Sequence, residues 1–165
     1  MNTAGKVVSR ERAAEISRDA KAAGRHVVLA NGCFDLLHVG HLRYLQGAKA
    51  AGDLLIVGIN ADESVRKLKG ASRPLLNEQD RARLVAAFDT VDYVVIFAED
   101  NVRNLIAELR PDFHAKGTDY TTESVPERDA VIAAGGEVVI VGDPKDHNTR
   151  DLIRLILNTE DRETA

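Results

Sequence analysis

The chain has 165 residues, 44% of them hydrophobic and 29% charged, with a formal net charge of −4. That length suits one domain with its own core and is short for two, and the composition is that of a soluble globular protein. The acidic balance excludes a broad nucleic-acid surface, which needs a basic face to displace counterions from phosphates.

No apolar run reaches membrane-spanning length, and the segment from Met1 to Arg12 lacks the hydrophobic stretch of a secretory signal. The lone Cys33 cannot close an internal disulfide. A cytoplasmic protein with no membrane partner is therefore expected.

Taken in order, the chain opens with Ser9 as the cap of a helix that runs to about Ala23 and stops at Gly24. Residues 1–24 thus read as a helical extension of a single domain spanning residues 1–165. The apolar run His26 to Ala30 is a first strand of the kind buried on both faces of a parallel sheet. A helix from about Val39 to Ala51 ends at Gly52, and a second strand follows at Leu54 to Ile59. Ala61 to Gly70 is a short helix with acids at its start and bases at its end, the order that suits the helix dipole. Ala71 to Leu76 is a loop, and Asn77 caps a helix that carries Arg81 towards Phe88.

Strand three is Tyr93 to Phe97, and the helix from Asn101 to Leu109 is ended by Pro111. Strand four is Asp112 to Lys116, followed by a polar loop, Gly117 to Thr122. Pro126 to Ala134 is helical as far as Gly135 and Gly136, and strand five is Glu137 to Val141. After a second polar loop, Gly142 to Asn148, the final helix runs from Thr149 to Leu157, and the charged tail, residues 158–165, is expected to fray.

Strands alternating with helices imply an α/β, Rossmann-like, doubly wound five-stranded parallel sheet with helices on both faces. In such sheets ligands bind beyond the carboxyl ends of the strands. That edge holds the His-rich turn after strand one, Asn60 and Asp62 after strand two, Lys116 to Asp119 after strand four, and Asp143 to Arg150 after strand five. No Gly-x-Gly-x-x-Gly or Walker-type run points to a dinucleotide or P-loop site.

The turn after strand one is Asn31-Gly32-Cys33-Phe34-Asp35-Leu36-Leu37-His38-Val39-Gly40-His41. It leads into a helix, whose first-turn N–H groups lack partners within the helix and carry partial positive charge, a ready site for phosphate. Gly32 and Gly40 remove bulk where a backbone would approach a ligand, while His38 and His41 fall on one helix face. Taken singly, each histidine could be an ordinary solvent-facing residue. Cys33, His38 and His41 lack the paired spacing of a structural zinc site, so no protein metal site is expected. Nor is there a Ser-His-Asp constellation. Phosphoryl or nucleotidyl transfer needs none, because the attacking phosphate is already an anion and catalysis rests on alignment and charge neutralisation.

The run from Gly32 to His41 resembles the signature of the cytidylyltransferase-like nucleotidyltransferases. Lys67 to Gly70, Ser72-Arg73-Pro74, the helix with Arg81, Lys116 to Tyr120 and Gly135 to Val138 are similar, in order and spacing, to the adenylyltransferase part of bacterial enzymes that make ADP-glycero-manno-heptose. The resemblance implies transfer of AMP from ATP to a heptose 1-phosphate, with magnesium on the nucleotide phosphates, by a homodimer supplied by a separate sugar kinase. It implies that His38, His41 and Lys49 are catalytic. Gly32, Cys33, Phe34, Gly40, His41, Arg81, Lys116, Gly117, Asp119, Thr149 and Arg150 would bind nucleotide, and Asp35, Asn60 and Lys69 the acceptor.

Against these roles stand plainer ones: Lys49 as a solvated helix residue, Arg81 as a partner of Glu78, and Asp35 as a turn cap. The chain departs from the family where a hydroxyl pair is usual, having His147-Asn148-Thr149-Arg150 instead. Two readings compete: a CTP-dependent enzyme acting on glycerol or polyol phosphate, and a nucleotide sensor without turnover.

Overall fold

The computed structural model describes residues 3–143 and 149–163, apart from the side chains of residues 4, 150 and 159–163. Five strands, β1 (Val27–Gly32), β2 (Leu54–Asn60), β3 (Tyr93–Phe97), β4 (Phe113–Gly117) and β5 (Glu137–Val141), pair in the order β3-β2-β1-β4-β5. Every pairing is parallel. Between them run α1 (Arg10–Ala22), α2 (Val39–Ala50), α3 (Asp62–Lys69), α4 (Glu78–Ala86), α5 (Arg103–Leu109) and α6 (Arg128–Ala133), with α7 (Thr149–Glu163) at the end. The doubly wound α/β sheet expected from the sequence is thus present.

Alternation along each strand sends side chains to opposite faces and builds two apolar layers. Val27, Leu29, Leu54, Ile56 and Phe97 face Ala13, Ile16 and Ala20 of α1, Leu105, Ile106 and Leu109 of α5, and Val131 of α6. Val28, Ala30, Leu55, Val57 and Val94 face Leu45 and Ala48 of α2 and Ala82, Val85 and Ala86 of α4. Helix α1 is part of the first layer, and inside it the buried Ser17 Oγ donates to the Leu109 carbonyl at 2.6 Å. Ahead of α1, Val7 makes a parallel bridge with Val94, and Lys6 Nζ donates to the Val91 carbonyl at 2.7 Å. That short extended piece has no periodicity to announce it.

Apart from the end of α7, element ends agree with the sequence reading to within about two residues, the usual uncertainty of a helix boundary. Helix α5 begins at Arg103 because the Asn101 side chain accepts the Arg103 N–H at 3.1 Å. Helix α7 continues to Glu163, past the expected end at Leu157.

One feature of the register positions everything else. Strand β1 pairs with β2 as far as Gly32 and Ile59, but with β4 only as far as Ala30 and Ala115. The two neighbours of β1 belong to opposite winding directions, so the crevice at the carboxyl end opens between β1 and β4. Tyr44 of α2 bridges its floor, taking the Asn31 N–H at 3.4 Å and donating to the Ala115 carbonyl at 2.8 Å.

Ser17→Ala leaves the Leu109 carbonyl without its donor in a dry interior. We expect it to lower unfolding free energy by about 1–3 kcal/mol, measured by urea denaturation.

Candidate functional site

A cleft of about 910 Å³ opens at the crevice between β1 and β4. Its walls are the turn after β1, the first half of α2, the end of α3, the loop after β4, the exit of β5 and the start of α7.

The turn after β1 bends at Phe34, whose φ of +48 is a left-handed conformation rare for a bulky residue. The bend folds the Phe34 ring inward, 3% exposed, with its centroid 5.1 Å from that of His41 and 6.5 Å from that of Tyr44. A Cβ on Gly32 would lie 3.1 Å from the Phe34 ring, so this cleft-lining glycine also makes room for Phe34. His38 is the N-cap of α2, and its ring stacks on that of His41 at 3.9 Å between centroids. The His38 N–H donates to His41 Nδ1 at 3.3 Å. With Nδ1 an acceptor, the neutral His41 ring carries its proton on Nε2 and is a donor there.

Two buried charges hold this turn against the loop that follows α3. Asp35, 2% exposed, accepts the N–H groups of Leu75 and Leu76 at 2.7 and 3.1 Å and pairs with Arg73 at 2.7 Å. Arg81, fully buried, donates to the Cys33 carbonyl at 2.5 Å, the Leu76 carbonyl at 3.0 Å and Asp62 Oδ1 at 2.7 Å. Glu78, the partner considered for Arg81, instead accepts the Asp62 N–H at 2.7 Å. Cys33 lines the cleft, and burial pushes its thiol pKa up, so it stays protonated.

On the opposite wall, Lys116 is 8% exposed and pairs with Glu127 at 3.2 Å. Its ammonium also donates to Asn31 Oδ1 at 3.2 Å and lies 5.5 Å from the centre of the Tyr120 ring. His114, beneath it, is fully buried with Nε2 3.1 Å from the same Asn31 oxygen. Burial first, and the Lys116 charge second, push the His114 pKa down to about 3, so the ring is neutral. Arg43 of α2 reaches Asp143 after β5 at 3.4 Å, and Thr118 Oγ donates to the Asp143 carbonyl at 2.8 Å.

The fold brings Gly32, Cys33, Phe34, Asp35, His38, Gly40, His41, Lys69, Lys116, Gly117, Asp119 and Thr149 to this one cleft. Three expected residues fall elsewhere. Lys49 sits in the last turn of α2, bonded to the Asp53 carbonyl at 2.7 Å and paired with Asp92 at 2.6 Å. Asp92 in turn accepts the N–H of Leu55, at the amino end of β2, so Lys49 serves the far edge of the sheet and not the chemistry. Arg81 lies behind the turn with its donors engaged and does not line the cleft, so it is a structural clamp in place of a nucleotide contact. Asn60 is buried below the cleft and donates to Ser64 Oγ at 2.9 Å, which removes it from the acceptor set. The Arg150 side chain and the whole of His147 and Asn148 lie outside the described residues.

The sequence reading also overlooked Asn31, Arg43, Tyr44, Arg73 and Tyr120, all of which line the cleft. Asn31, Arg73 and Tyr120 fall within the quoted motifs, and Arg43 and Tyr44 follow His41 by two and three residues, so proximity was the available signal. Among the described residues no group of three or more His, Cys, Asp and Glu is placed to hold a metal ion, and no helix is long and apolar enough to cross a membrane.

Two stability predictions follow from these contacts. Arg81→Met removes a buried cation from three acceptors and should cost about 3 kcal/mol, whereas Lys49→Met, at a pair about one-third exposed, should cost about 1 kcal/mol or less; chemical denaturation separates them. His114 has a folded pKa below its unfolded value, so the unfolded chain binds the extra proton and stability falls as pH drops from about 6.5 towards 3. That fall approaches about 1.4 kcal/mol per pH unit for this one group, and His114→Gln should flatten the stability profile between pH 6.5 and 4 by up to that slope.

The chain is similar to several known proteins. The bifunctional protein HldE of Pelobacter propionicus is 49% identical over 152 residues, which are 92% of this chain and 31% of that protein. HldE of Geobacter sulfurreducens is 50% identical over 137 residues, 83% of this chain and 28% of that protein. The chain therefore spans less than a third of the length of these relatives. Among solved structures, a lipopolysaccharide core biosynthesis protein from Thermoplasma volcanium superposes with a TM-score of 0.65 at 27% identity, covering 74% of this chain and 100% of that one. A pantoate-beta-alanine ligase from Francisella tularensis shares the fold, with a TM-score of 0.63 at 13% identity over 87% of this chain and 68% of its own. A family model described as cytidylyltransferase-like matches residues 29–142, from the middle of β1 to the exit of β5. By that match, which takes in the histidine turn and most of the cleft wall, the chain belongs to the cytidylyltransferase-like family and is a nucleotidyltransferase.

Proposed function

We propose that this domain transfers the AMP of ATP to D-glycero-manno-heptose 1-phosphate, giving the ADP-sugar and pyrophosphate. The observation that carries it is the stacked His38 and His41 pair at the amino end of α2, at the crevice of the sheet. The two HldE relatives, similar over 92% and 83% of this chain, support the choice of adenylyl transfer and of a heptose acceptor.

In this reading a phosphate oxygen of the sugar 1-phosphate forms a bond to the α-phosphorus of ATP, while the bond from that phosphorus to the bridging oxygen breaks and pyrophosphate leaves. No base is required. The cleft must instead align two anions and neutralise charge on the transferred phosphoryl and the leaving group. His41 donates from Nε2, with the first-turn amides of α2 beside it. Lys116 and Lys69 add positive charge from the β4 and α3 walls.

Magnesium enters as part of the substrate, on the triphosphate oxygens, and Asp35 does not serve it because its carboxylate is engaged by Arg73 and two amides. The sugar 1-phosphate must itself come from a phosphoryl-transfer step, whichever polypeptide carries it. The active unit is a homodimer in this reading, and light scattering at assay concentration tests that.

Pyrophosphate release, with MgATP or MgCTP offered against a panel of sugar 1-phosphates and polyol phosphates, tests the assignment. Release with ATP and the heptose 1-phosphate is expected, and a preference for CTP or for a polyol phosphate overturns it. In the same assay His38→Ala and His41→Ala should each lower kcat about 100-fold or more, while Lys49→Met leaves kcat unchanged.

A further inference from the structure

The adenylyl-transfer reading leaves one buried group without a task. His114 is fully buried on the central part of the sheet, next to β1 in register with Leu29, and among the described residues its Nε2 meets only the Asn31 side chain. Among the described residues its Nδ1 has no partner. Asn31 occupies the place where β1 and β4 have just parted, and it lines the cleft.

The orientation of the Asn31 amide is decided by its neighbours. A lysine ammonium can only donate, so the Asn31 atom 3.2 Å from Lys116 Nζ must be the oxygen. The same oxygen lies 3.1 Å from His114 Nε2, which must then carry the proton of the neutral ring. With two donors on the oxygen, the NH2 end of the amide is left for the cleft, and among the described residues no acceptor takes it. Lys116 is not a sufficient anchor, because its ammonium is shared with Glu127 and stands at the edge of the anion site. His114 is fully enclosed and, among the described residues, has no other hydrogen-bond partner, so it holds the amide whichever way Lys116 turns.

We propose that Asn31 is a substrate-contacting residue, its NH2 donating to a phosphate oxygen of the nucleotide, and that His114 is the positioning residue that fixes the amide in that sense. This rests on the adenylyl-transfer reading for the identity of the anion. A phosphate oxygen is the fitting partner because the same cleft gathers His38, His41, Lys69 and Lys116. A sugar or ribose hydroxyl could accept from the NH2 as well, but it could also donate to an oxygen placed there, and that difference makes the two separable.

The test is calorimetric binding of MgATP and of adenosine to the full chain, with melting temperature as the check on folding. Asn31→Asp keeps an acceptor for both His114 and Lys116 and turns the outward donor into an acceptor, with one negative charge shared by the two oxygens. It should keep the melting temperature, weaken MgATP at least about tenfold, as expected for a lost charge-assisted hydrogen bond, and leave adenosine unchanged. Asn31→Ala should weaken MgATP in the same direction and serves if the aspartate variant unfolds. His114→Leu should raise the KM for ATP with less change in kcat, and His114→Gln, whose amide can replace the Nε2 donor, should restore it. MgATP bound by Asn31→Asp and Asn31→Ala as tightly as by the wild type overturns the proposal and leaves adenylyl transfer standing. A hydroxyl contact, shown by weaker MgATP for Asn31→Ala but not for Asn31→Asp, also overturns it. Wild-type protein that binds no MgATP overturns the adenylyl-transfer reading itself, and this proposal with it.

Discussion

Two buried opposite charges, Asp35 and Arg81, each with its own partners, set the shape of the cleft. Neither can leave water without a full set of partners, because an unpaired charge in the interior is far more costly than a paired one. Asp35 finds its partners in Arg73 and two amides of the loop after α3. Arg81 finds its own in Asp62 and two carbonyls, one in that loop and one at Cys33. The turn after β1 and the loop before α4 are thereby tied to each other from both sides. Phe34 can hold a left-handed backbone only in surroundings that over-determine it, and this pair of ties is part of them.

A protein of net charge −4 must reverse its field locally to receive an anion. The cleft does so with cations that already have acidic partners: Lys116 with Glu127, Arg43 with Asp143, Arg73 with Asp35. Such pairs keep long side chains in place before a ligand arrives, which lowers the entropy to be lost on binding. They also moderate the field, so that most of the attraction comes from fixed elements, above all the amino end of α2 and the histidines mounted on it.

Much of this was legible in the sequence. Largely apolar runs marked four of the strands, because a parallel sheet covered on both faces leaves no polar side to interrupt them, whereas the fourth, which carries His114 and Lys116, was placed by the helix-ending Pro111 before it. The helix caps at Ser9 and Asn77 were readable because capping is a local act: each side chain bonds an N–H three residues on. Lys49 was misplaced for a reason that lay in the helix itself. It follows His41 by eight residues, and at about 1.5 Å per residue that is roughly 12 Å along the axis, enough to carry it away from the carboxyl edge. Arg81 was misjudged because its partners, Cys33 and Asp62, come from distant stretches, and periodicity says nothing about which cation a fold encloses. Asn31 was read only as the first residue of the turn and given no role, since only the parting of β1 from β4 makes it a cleft residue.

The ties around the turn have one more property. Of the groups that Asp35 and Arg81 bind, four belong to the main chain: the amides of Leu75 and Leu76 and the carbonyls of Leu76 and Cys33. Main-chain groups are the same whatever residue occupies the position. The loop after α3 can therefore exchange side chains at its exposed positions, such as Leu75, without loosening the frame that holds the histidines. A scaffold built this way separates what must stay constant for chemistry from what can drift, and descendants could change acceptor preference by small steps in that loop while the reacting groups stay in register.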